Sequence, residues 1–383
     1  MEKPIKNTKT PFTKKGFYDI LLFGIGPGSL MDKITDSGSV DAGSIPARDT
    51  ICLFLQKRKA EPKKSQYNMI NKGDNHMAIT VEKTILDPWG NCVRVSNGQI
   101  ELFATLDIGP HIIRFNVIGK ENMFFEDIQD NISKDVSACG WFNEGTWHIH
   151  GGHRLWISPE NDPASYWPDN VSVESYDMLP NGVRLVQQKQ EYLNIQQKIA
   201  VTMQENGTVN VDHTVTNRGA YPLELAPWAL TVLAPDGVEV VPHTKRETGL
   251  LGNRILALWP YSDMADPRIT WGKDYMILRQ DQNMDTSFKL GSTNEEGYAA
   301  YFLHGCMFLK RYTHVLGGNY PDFGVSFETY TNKHMLEMET LGQLVTLANG
   351  QSACHRETWQ LLNGVAVPDK NDAAIKETLS KYL

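Results

Sequence analysis

From residue 77 to residue 366, hydrophobic and polar positions alternate in short runs that are separated by turn residues. Examples are the segments CVRVSNGQIELFATL (92–106), VRLVQQKQEYLNIQQKIAVTMQENGTVNVDHTVTN (183–217) and QLVTLANGQSACHRETWQLL (343–362). A period of two predicts β-strands, and Asn-Gly inside such a run is a typical hairpin turn. The sequence therefore predicts an all-β fold, a large antiparallel β-sandwich, with hairpin turns at Asn97-Gly98, Asn206-Gly207 and Asn349-Gly350.

The last residues follow a different pattern. The segment NDAAIKETLSKYL (371–383) has the spacing of an amphipathic helix, and Asn371 or Asp372 is suited to be its N-cap. We therefore expect a sandwich domain at 77–366, followed by a short helical tail at 367–383.

Residues 1–76 do not share the alternation. They carry 13 Lys and Arg against 8 Asp and Glu, whereas the rest of the chain carries 24 against 37. The segment DILLFGIGPGSL (19–30) imitates a dinucleotide-binding loop, but turn residues follow it where a helix and a second strand are required. The stretch SGSVDAGSIPAR (37–48) resembles a translated tRNA gene. We expect 1–76 to be a poorly ordered extension, with the domain starting at Met69 or Met77, and we predict no cofactor.

The composition excludes several classes of protein. The net charge is −8, which argues against a nucleic-acid partner. The five cysteines form no C-x-x-C motif, and no apolar run is long enough to span a membrane. We expect a cytoplasmic protein with a small-molecule ligand.

Two segments concentrate the chemistry. CGWFNEGTWHIHGGHRLWISPE (139–160) combines histidines, tryptophans, an arginine and two acids around a Gly-Gly pair. Such a set predicts a concave polar site lined by aromatic rings, because each buried imidazole or guanidinium needs a partner. In HMLEMETLG (334–342), Glu337 and Glu339 are two apart in a strand-like run, so both should point away from Leu336 and Met338.

Within these segments, GGHRLWISPE (151–160) and MLEMETLG (335–342), together with TLDIGPHIIRFNVIGKENMFF (105–125) and LANGQSACHRETWQL (347–361), resemble galactose mutarotase-like (aldose 1-epimerase-like) domains. The resemblance covers about 77–362 and implies a β-supersandwich whose concave face binds a monosaccharide. It also implies a carboxylate base that takes the anomeric proton and a histidine acid that protonates the ring oxygen. Glu337 best matches the base and Glu339 comes next. The alternative is a strand with two solvated carboxylates.

The chain departs from the family where the acid histidine is expected. Pro227-Trp228 stands in place of an Asn-His pair. Either His150 or His153 supplies the proton, or the domain binds sugar without catalysis. Trp228 could form a stacking floor for a pyranose or be a plain core residue.

The remaining candidates are ligand contacts. Arg154 offers a planar fork of donors to hydroxyl or anionic groups, or else forms a buried salt bridge with Glu160 or Glu339. Further predicted contacts are His148, Trp156, Glu144 and Asp322, the last in a segment (314–332) that is predicted to be a long loop. We predict no metal, with His148, His150 and His153 as the ligands of an alternative, a metal-dependent hydrolase or lyase.

Overall fold

The computed structural model describes residues 78–137 and 145–383. The predicted extension at 1–76 lies outside these residues, as does Glu144. Within the described ranges the chain forms 23 strands and one α-helix. The strands are β1 (Thr80–Leu86), β2 (Gly90–Ser96), β3 (Ile100–Thr105), β4 (Ile112–Val117), β5 (Ser133–Asp135), β6 (Thr146–His148), β7 (His153–Ser158), β8 (Ser175–Leu179), β9 (Gly182–Val186), β10 (Ile195–Met203), β11 (Val209–Asn217), β12 (Leu223–Leu233), β13 (Val238–Pro242), β14 (Leu256–Leu258), β15 (Ile269–Trp271), β16 (Tyr275–Arg279), β17 (Phe288–Ser292), β18 (Tyr298–Leu303), β19 (Cys306–Tyr312), β20 (Phe327–Thr331), β21 (Leu336–Leu341), β22 (Val345–Leu347) and β23 (Ser352–Asn363); the helix is α1 (Asp372–Leu379).

Two large sheets dominate the described part of the chain. The first sheet has the spatial order β1-β2-β3-β4-β7-β12-β21-β20-β17-β14, with β22 also paired to β12. The second has the order β15-β16-β13-β18-β19-β23-β11-β10-β9-β8. Neighbouring strands pair antiparallel, as on both sides of β12 and β21. The all-β, antiparallel fold class and the short C-terminal helix are confirmed.

The core lies between the two sheets. The inward residues of the strands form one continuous apolar cluster, at whose centre four aromatic rings contact one another with centroid distances of 5.6–6.1 Å: Phe115, Phe124, Phe308 and Trp359. Burial of such rings supplies much of the driving force for closing the sandwich.

Two of the three predicted hairpins are present. Gly98 and Gly207 have φ of +80° and +81°, and they connect β2 to β3 and β10 to β11. The third prediction is wrong. Gly350 also has a positive φ of +78°, but β22 pairs with β12 in the first sheet while β23 lies in the second. A turn motif fixes the local reversal of the chain but not the strand with which the next segment pairs.

The helical tail packs on the outer face of the second sheet. The Asn371 side chain accepts a hydrogen bond from the Ala374 backbone N–H at 2.9 Å, so Asn371 is the N-cap. Ile375 and Leu379 are buried in a cluster with residues of that sheet. No helix among the described residues has the length and hydrophobicity that a membrane crossing requires.

The Gly151-Gly152 pair permits a close approach of two chain segments. Both residues have positive φ, +108° and +64°. A Cβ at Gly151 would lie 2.1 Å from the Phe125 carbonyl oxygen, and a Cβ at Gly152 would lie 2.4 Å from that of Ile112. Only glycine fits at both positions, and the pair sets the register with which β7 enters the first sheet.

Candidate functional site

The strands β7, β12 and β21 are adjacent in the first sheet, and each has an inward and an outward face. Leu155, Leu336 and Met338 belong to the core between the sheets. Arg154 and Glu337, on the opposite face, line a cavity of about 660 Å³. Side chains alternate between the two faces of a strand, so the position of a residue along its strand, odd or even, decides whether its side chain reaches the cavity.

The cavity is rich in aromatic rings. Its volume lies in the range of about 300–1,000 Å³ that is usual for small-molecule sites. The polar and charged lining side chains include Arg154, Glu160, Lys289, Asn332 and Glu337, and the aromatic ones are Trp147, Tyr166, Trp156, Trp228, Trp259, Tyr261 and Tyr330. The cavity therefore combines aromatic and polar side chains, and its lining includes Trp147, Trp156 and Trp228.

Glu337 and Arg154 form a buried ion pair in the cavity wall. Arg154 Nη2 donates to Glu337 Oε1 at 2.8 Å, and the residues are 4% and 7% exposed. The guanidinium lies over the Trp156 ring, 4.6 Å from its centroid. The sequence alternatives paired Arg154 with Glu160 or Glu339, but the partner is Glu337. With so little exposure, Arg154 acts chiefly by holding the Glu337 carboxylate in one orientation.

Glu339 points to the same face as Glu337, as predicted, but it lies beneath the cavity wall. It is fully buried and accepts a hydrogen bond from Trp228 Nε1 at 2.8 Å. Lys289 Nζ is 3.1 Å from Glu339 and 2.8 Å from Glu328. Burial, and then the neighbouring Glu337 charge, raise the pKa of the Glu339 carboxyl, and burial raises that of Glu328 well above its usual range. Trp228 thus covers a buried charged cluster.

His153 lies on the opposite face of β7 and does not reach the cavity. It is fully buried, with Nδ1 at 2.8 Å from Thr231 Oγ1 and Nε2 at 2.7 Å from His213 Nε2. Burial lowers the pKa of both imidazoles and so favours their neutral forms. Because His153 directly precedes Arg154 in the strand, the two side chains point to opposite sides of the sheet. The structure therefore contradicts the placement of His153 as the acid on the sugar.

His153, His213 and Glu357 place potential metal ligand atoms within 4.8 Å of one another. Their geometry is that of a hydrogen-bonded network. The two Nε2 atoms are a hydrogen bond apart, and Glu357 Oε1 is 3.0 Å from Lys310 Nζ. The Lys310 ammonium lies where a cation would otherwise neutralise the carboxylate, so the donor set does not fit a metal centre.

His148 and His150 lie in a different cavity of about 360 Å³, which is lined by Asp127, Asp130 and Asn170. His148 ends β6, whereas His150 lies beyond the strand with a φ of +52°, so the H-x-H motif is not a continuous strand. Their rings are 5.8 Å apart. His148 Nδ1 is 2.6 Å from Asp130, and His150 Nε2 is 3.0 Å from Asn170. The structure does not bring His150 to Glu337, nor does it join these histidines with His153 as a metal set.

The last predicted contact, Asp322, accepts a hydrogen bond from Ser158 Oγ at 3.2 Å and is not among the cavity-lining residues. The segment 314–332 is not loop throughout, because Phe327–Thr331 form β20.

Sequence reasoning missed the far side of the cavity, which comes from β17, β20 and the segment after β14. These residues are Trp259, Tyr261, Lys289 and Tyr330. One signal was available: Lys289 interrupts an apolar run between Phe288 and Leu290, and a lysine within a buried strand requires an acidic partner.

Comparisons with family models and with curated proteins found no significant match. Among solved structures, the chain is similar to a galactose mutarotase-like protein from Lactobacillus casei, with 11% identity, 70% of this chain and 99% of that chain covered, and a TM-score of 0.47. A galactose mutarotase-like protein from Clostridium acetobutylicum has 10% identity, 75% and 99% coverage and a TM-score of 0.45. Galactose 1-epimerase from Lactobacillus acidophilus has 9% identity, 75% and 99% coverage and a TM-score of 0.41.

Proposed function

We propose that the chain binds a monosaccharide in the aromatic cavity and interconverts its anomers, as an aldose 1-epimerase does, with Glu337 as the general base. The single observation that carries this proposal is the Glu337–Arg154 pair in the wall of a cavity lined by seven aromatic side chains. Aromatic surfaces pack well against the C–H faces of a pyranose, and a fixed carboxylate beside them can accept a proton from a ring hydroxyl.

The geometry of Glu337 suits a base. Oε1 is occupied by Arg154, whereas Oε2 has no hydrogen-bond partner among the described residues. In the proposed reaction this carboxylate takes the proton of the anomeric hydroxyl. The bond between the anomeric carbon and the ring oxygen then breaks, the ring oxygen gains a proton, and the open chain closes again on either face of the carbonyl.

The test is the rate of anomer interconversion, measured by NMR exchange across a panel of aldohexoses and aldopentoses. We expect acceleration by the native protein and a loss of about 100-fold or more in kcat for Glu337→Gln. Glu160→Gln is the matched control, because Glu160 is a second carboxylate that lines the cavity. Its Oε1 accepts a hydrogen bond of 2.6 Å from the Tyr166 hydroxyl. An unchanged rate in Glu337→Gln, or no acceleration by the native protein, would contradict the proposal.

A second candidate function is sugar binding without turnover. One observation favours it: among the described residues, no histidine lines the cavity. In that case the native protein would bind an aldose, as measured by calorimetry, while anomer exchange would proceed at the uncatalysed rate. The same panel of sugars therefore separates the two functions.

A further inference from the structure

Lys289 is the cation of the cavity wall that the reaction above does not use. It lies on β17, lines the cavity and is 5% exposed. The Ser262 side chain binds both the backbone N–H and the carbonyl of Lys289, at 2.8 and 2.6 Å, and so fixes the strand at this position. The ammonium lies over the rings of Trp228 and Trp259, 4.6 and 4.7 Å from their centroids.

The strand register places Lys289 opposite Glu337. Lys289 pairs with Tyr330 across β17 and β20, and Tyr330 pairs with Glu337 across β20 and β21. Directly paired residues point to the same face of a sheet. Their backbones are therefore two strand spacings apart, roughly 10 Å. A sugar ring that lies over Tyr330 has the carboxylate on one side and the ammonium on the other.

Two acidic side chains lie behind Lys289. One ammonium faces two fully buried carboxylates, Glu328 at 2.8 Å and Glu339 at 3.1 Å. Burial raises the pKa of both carboxyls. Burial alone would lower the pKa of the Lys289 ammonium, but Glu339 and Glu328 more than offset this and raise it.

The other proton donors of the cavity are less suited. The Tyr166 hydroxyl donates its proton to Glu160 at 2.6 Å. Tyr330 shares a hydrogen bond of 2.8 Å with Ser287 Oγ. Each of these hydroxyls has one proton and an existing hydrogen-bond partner, whereas the Lys289 ammonium has three N–H donors for two carboxylate partners.

We propose that Lys289 is the general acid of this site and delivers the proton to the ring oxygen that a histidine delivers in the family. This inference rests on the proposed function. As Glu337 takes the anomeric hydroxyl proton, the bond between the anomeric carbon and the ring oxygen breaks. The ring oxygen takes one proton from the Lys289 ammonium, which leaves a neutral amine. When the open chain closes on the other face, the attacking hydroxyl returns its proton to the Lys289 amine, and Glu337 returns its proton to the new anomeric hydroxyl.

The test compares Lys289→Arg with the native protein, using kcat and KM for anomer exchange and the affinity for the same aldose. An arginine keeps the positive charge between the two carboxylates but cannot give up a proton. We expect Lys289→Arg to bind the sugar with KM within about threefold of the native value and to lose about 100-fold or more in kcat. A residue that contributed only charge or packing would be rescued by arginine.

Two further variants cover the possibility that arginine does not fit. Lys289→Met combined with Glu328→Gln removes one positive and one negative charge, so the net charge of the cluster does not change. This double variant should fold, bind sugar and lack turnover. Lys134→Met is the matched control, because Lys134 lies over the cavity residue Tyr166 at 3.7 Å but pairs with Asp162, and neither Lys134 nor Asp162 lines the cavity. It should leave kcat unchanged.

The outcomes separate the two proposals. Native turnover that is retained in Lys289→Arg, or in the double variant, overturns the role of Lys289 and leaves Glu337 standing. If turnover is lost in Tyr330→Phe and retained in Lys289→Arg, the acid is Tyr330, and the role of Lys289 is again overturned. Absence of turnover in the native protein overturns the proposed function, and the assignment of Lys289 as the acid is overturned with it.

Discussion

The two faces of β7, β12 and β21 both carry polar residues, but the faces differ in how completely those residues are paired. On the interior face, His153 and Lys310 both contact Thr231, and Lys310 also contacts Glu357 at 3.0 Å. On the cavity face, Glu337 has a carboxylate oxygen without a partner among the described residues.

This difference separates structural from chemical polar groups. A buried polar group whose hydrogen bonds are complete contributes to the specificity of the fold and has no capacity left for a ligand. A group that is fixed through one atom and open through another can take part in a reaction. By this criterion the interior histidines are structural, and Glu337 is a chemical group.

The largest expected effect concerns the interior face. Lys310→Met leaves the fully buried Glu357 without its ammonium partner, and breaking such a pair typically costs about 3–5 kcal/mol. We expect a loss of this size in the free energy of unfolding, measured with urea, and unchanged kcat in the folded protein. Lys310→Met with Glu357→Gln should recover part of the loss. A loss of stability below about 1 kcal/mol would show that the network is not structural.

The next effect is a dependence of stability on pH. Burial raises the pKa of the Glu239 carboxyl to about 8 in the folded protein, from its ordinary value of 4.5. Between pH 4.5 and 8, the folded state therefore holds a proton that the unfolded state has lost. The stabilisation that this proton gives the folded state is complete below pH 4.5 and is lost as the pH rises through 8, at up to about 1.4 kcal/mol per pH unit. Glu239→Gln should flatten the decline of the unfolding free energy between pH 5 and 8. An identical slope in the variant would refute this.

A smaller effect is expected for His153→Leu. The substitution removes the partner of Thr231 and His213, and an unsatisfied buried polar group costs about 1–3 kcal/mol. We expect thermal unfolding at a lower temperature and unchanged kcat for anomer exchange. Loss of turnover in a variant that remains folded would place an essential histidine on the interior face and remove the distinction between the two faces.

The smallest effect is expected for His148→Ala. His148 pairs with Asp130 at 2.6 Å in a partly exposed position, and such pairs contribute less than about 1 kcal/mol. Neither the unfolding free energy nor sugar affinity should change measurably, because this residue lines a separate cavity. A decrease of tenfold or more in sugar affinity would move the binding site to the histidine cavity.

Much of the fold could be predicted because its signals are local. The alternation of apolar and polar residues gave the strands, and the shared face of Glu337 and Glu339 followed from their spacing of two. The N-cap Asn371 is also a local signal. The pairing of β22 with β12 depends on the whole sheet, which explains why Asn349-Gly350 predicted the wrong partner.

The site was harder to predict because it is assembled from distant strands. The same parity that located Glu337 excludes His153, since Arg154 and His153 are consecutive and cannot share a face within one strand. Lys289 and Glu328 are 50 and 11 residues before Glu339 in the sequence, and only the sheet order β21-β20-β17 makes them neighbours. No local pattern contains that order.

The most direct test of the account is a crystal structure of the protein with a saturating aldose. The account predicts a pyranose ring over Tyr330 in the aromatic cavity, its anomeric hydroxyl within hydrogen-bond distance of Glu337 Oε2 and its ring oxygen facing Lys289 Nζ. A sugar bound in the cavity of His148 and His150, with the aromatic cavity free of ligand, would contradict it.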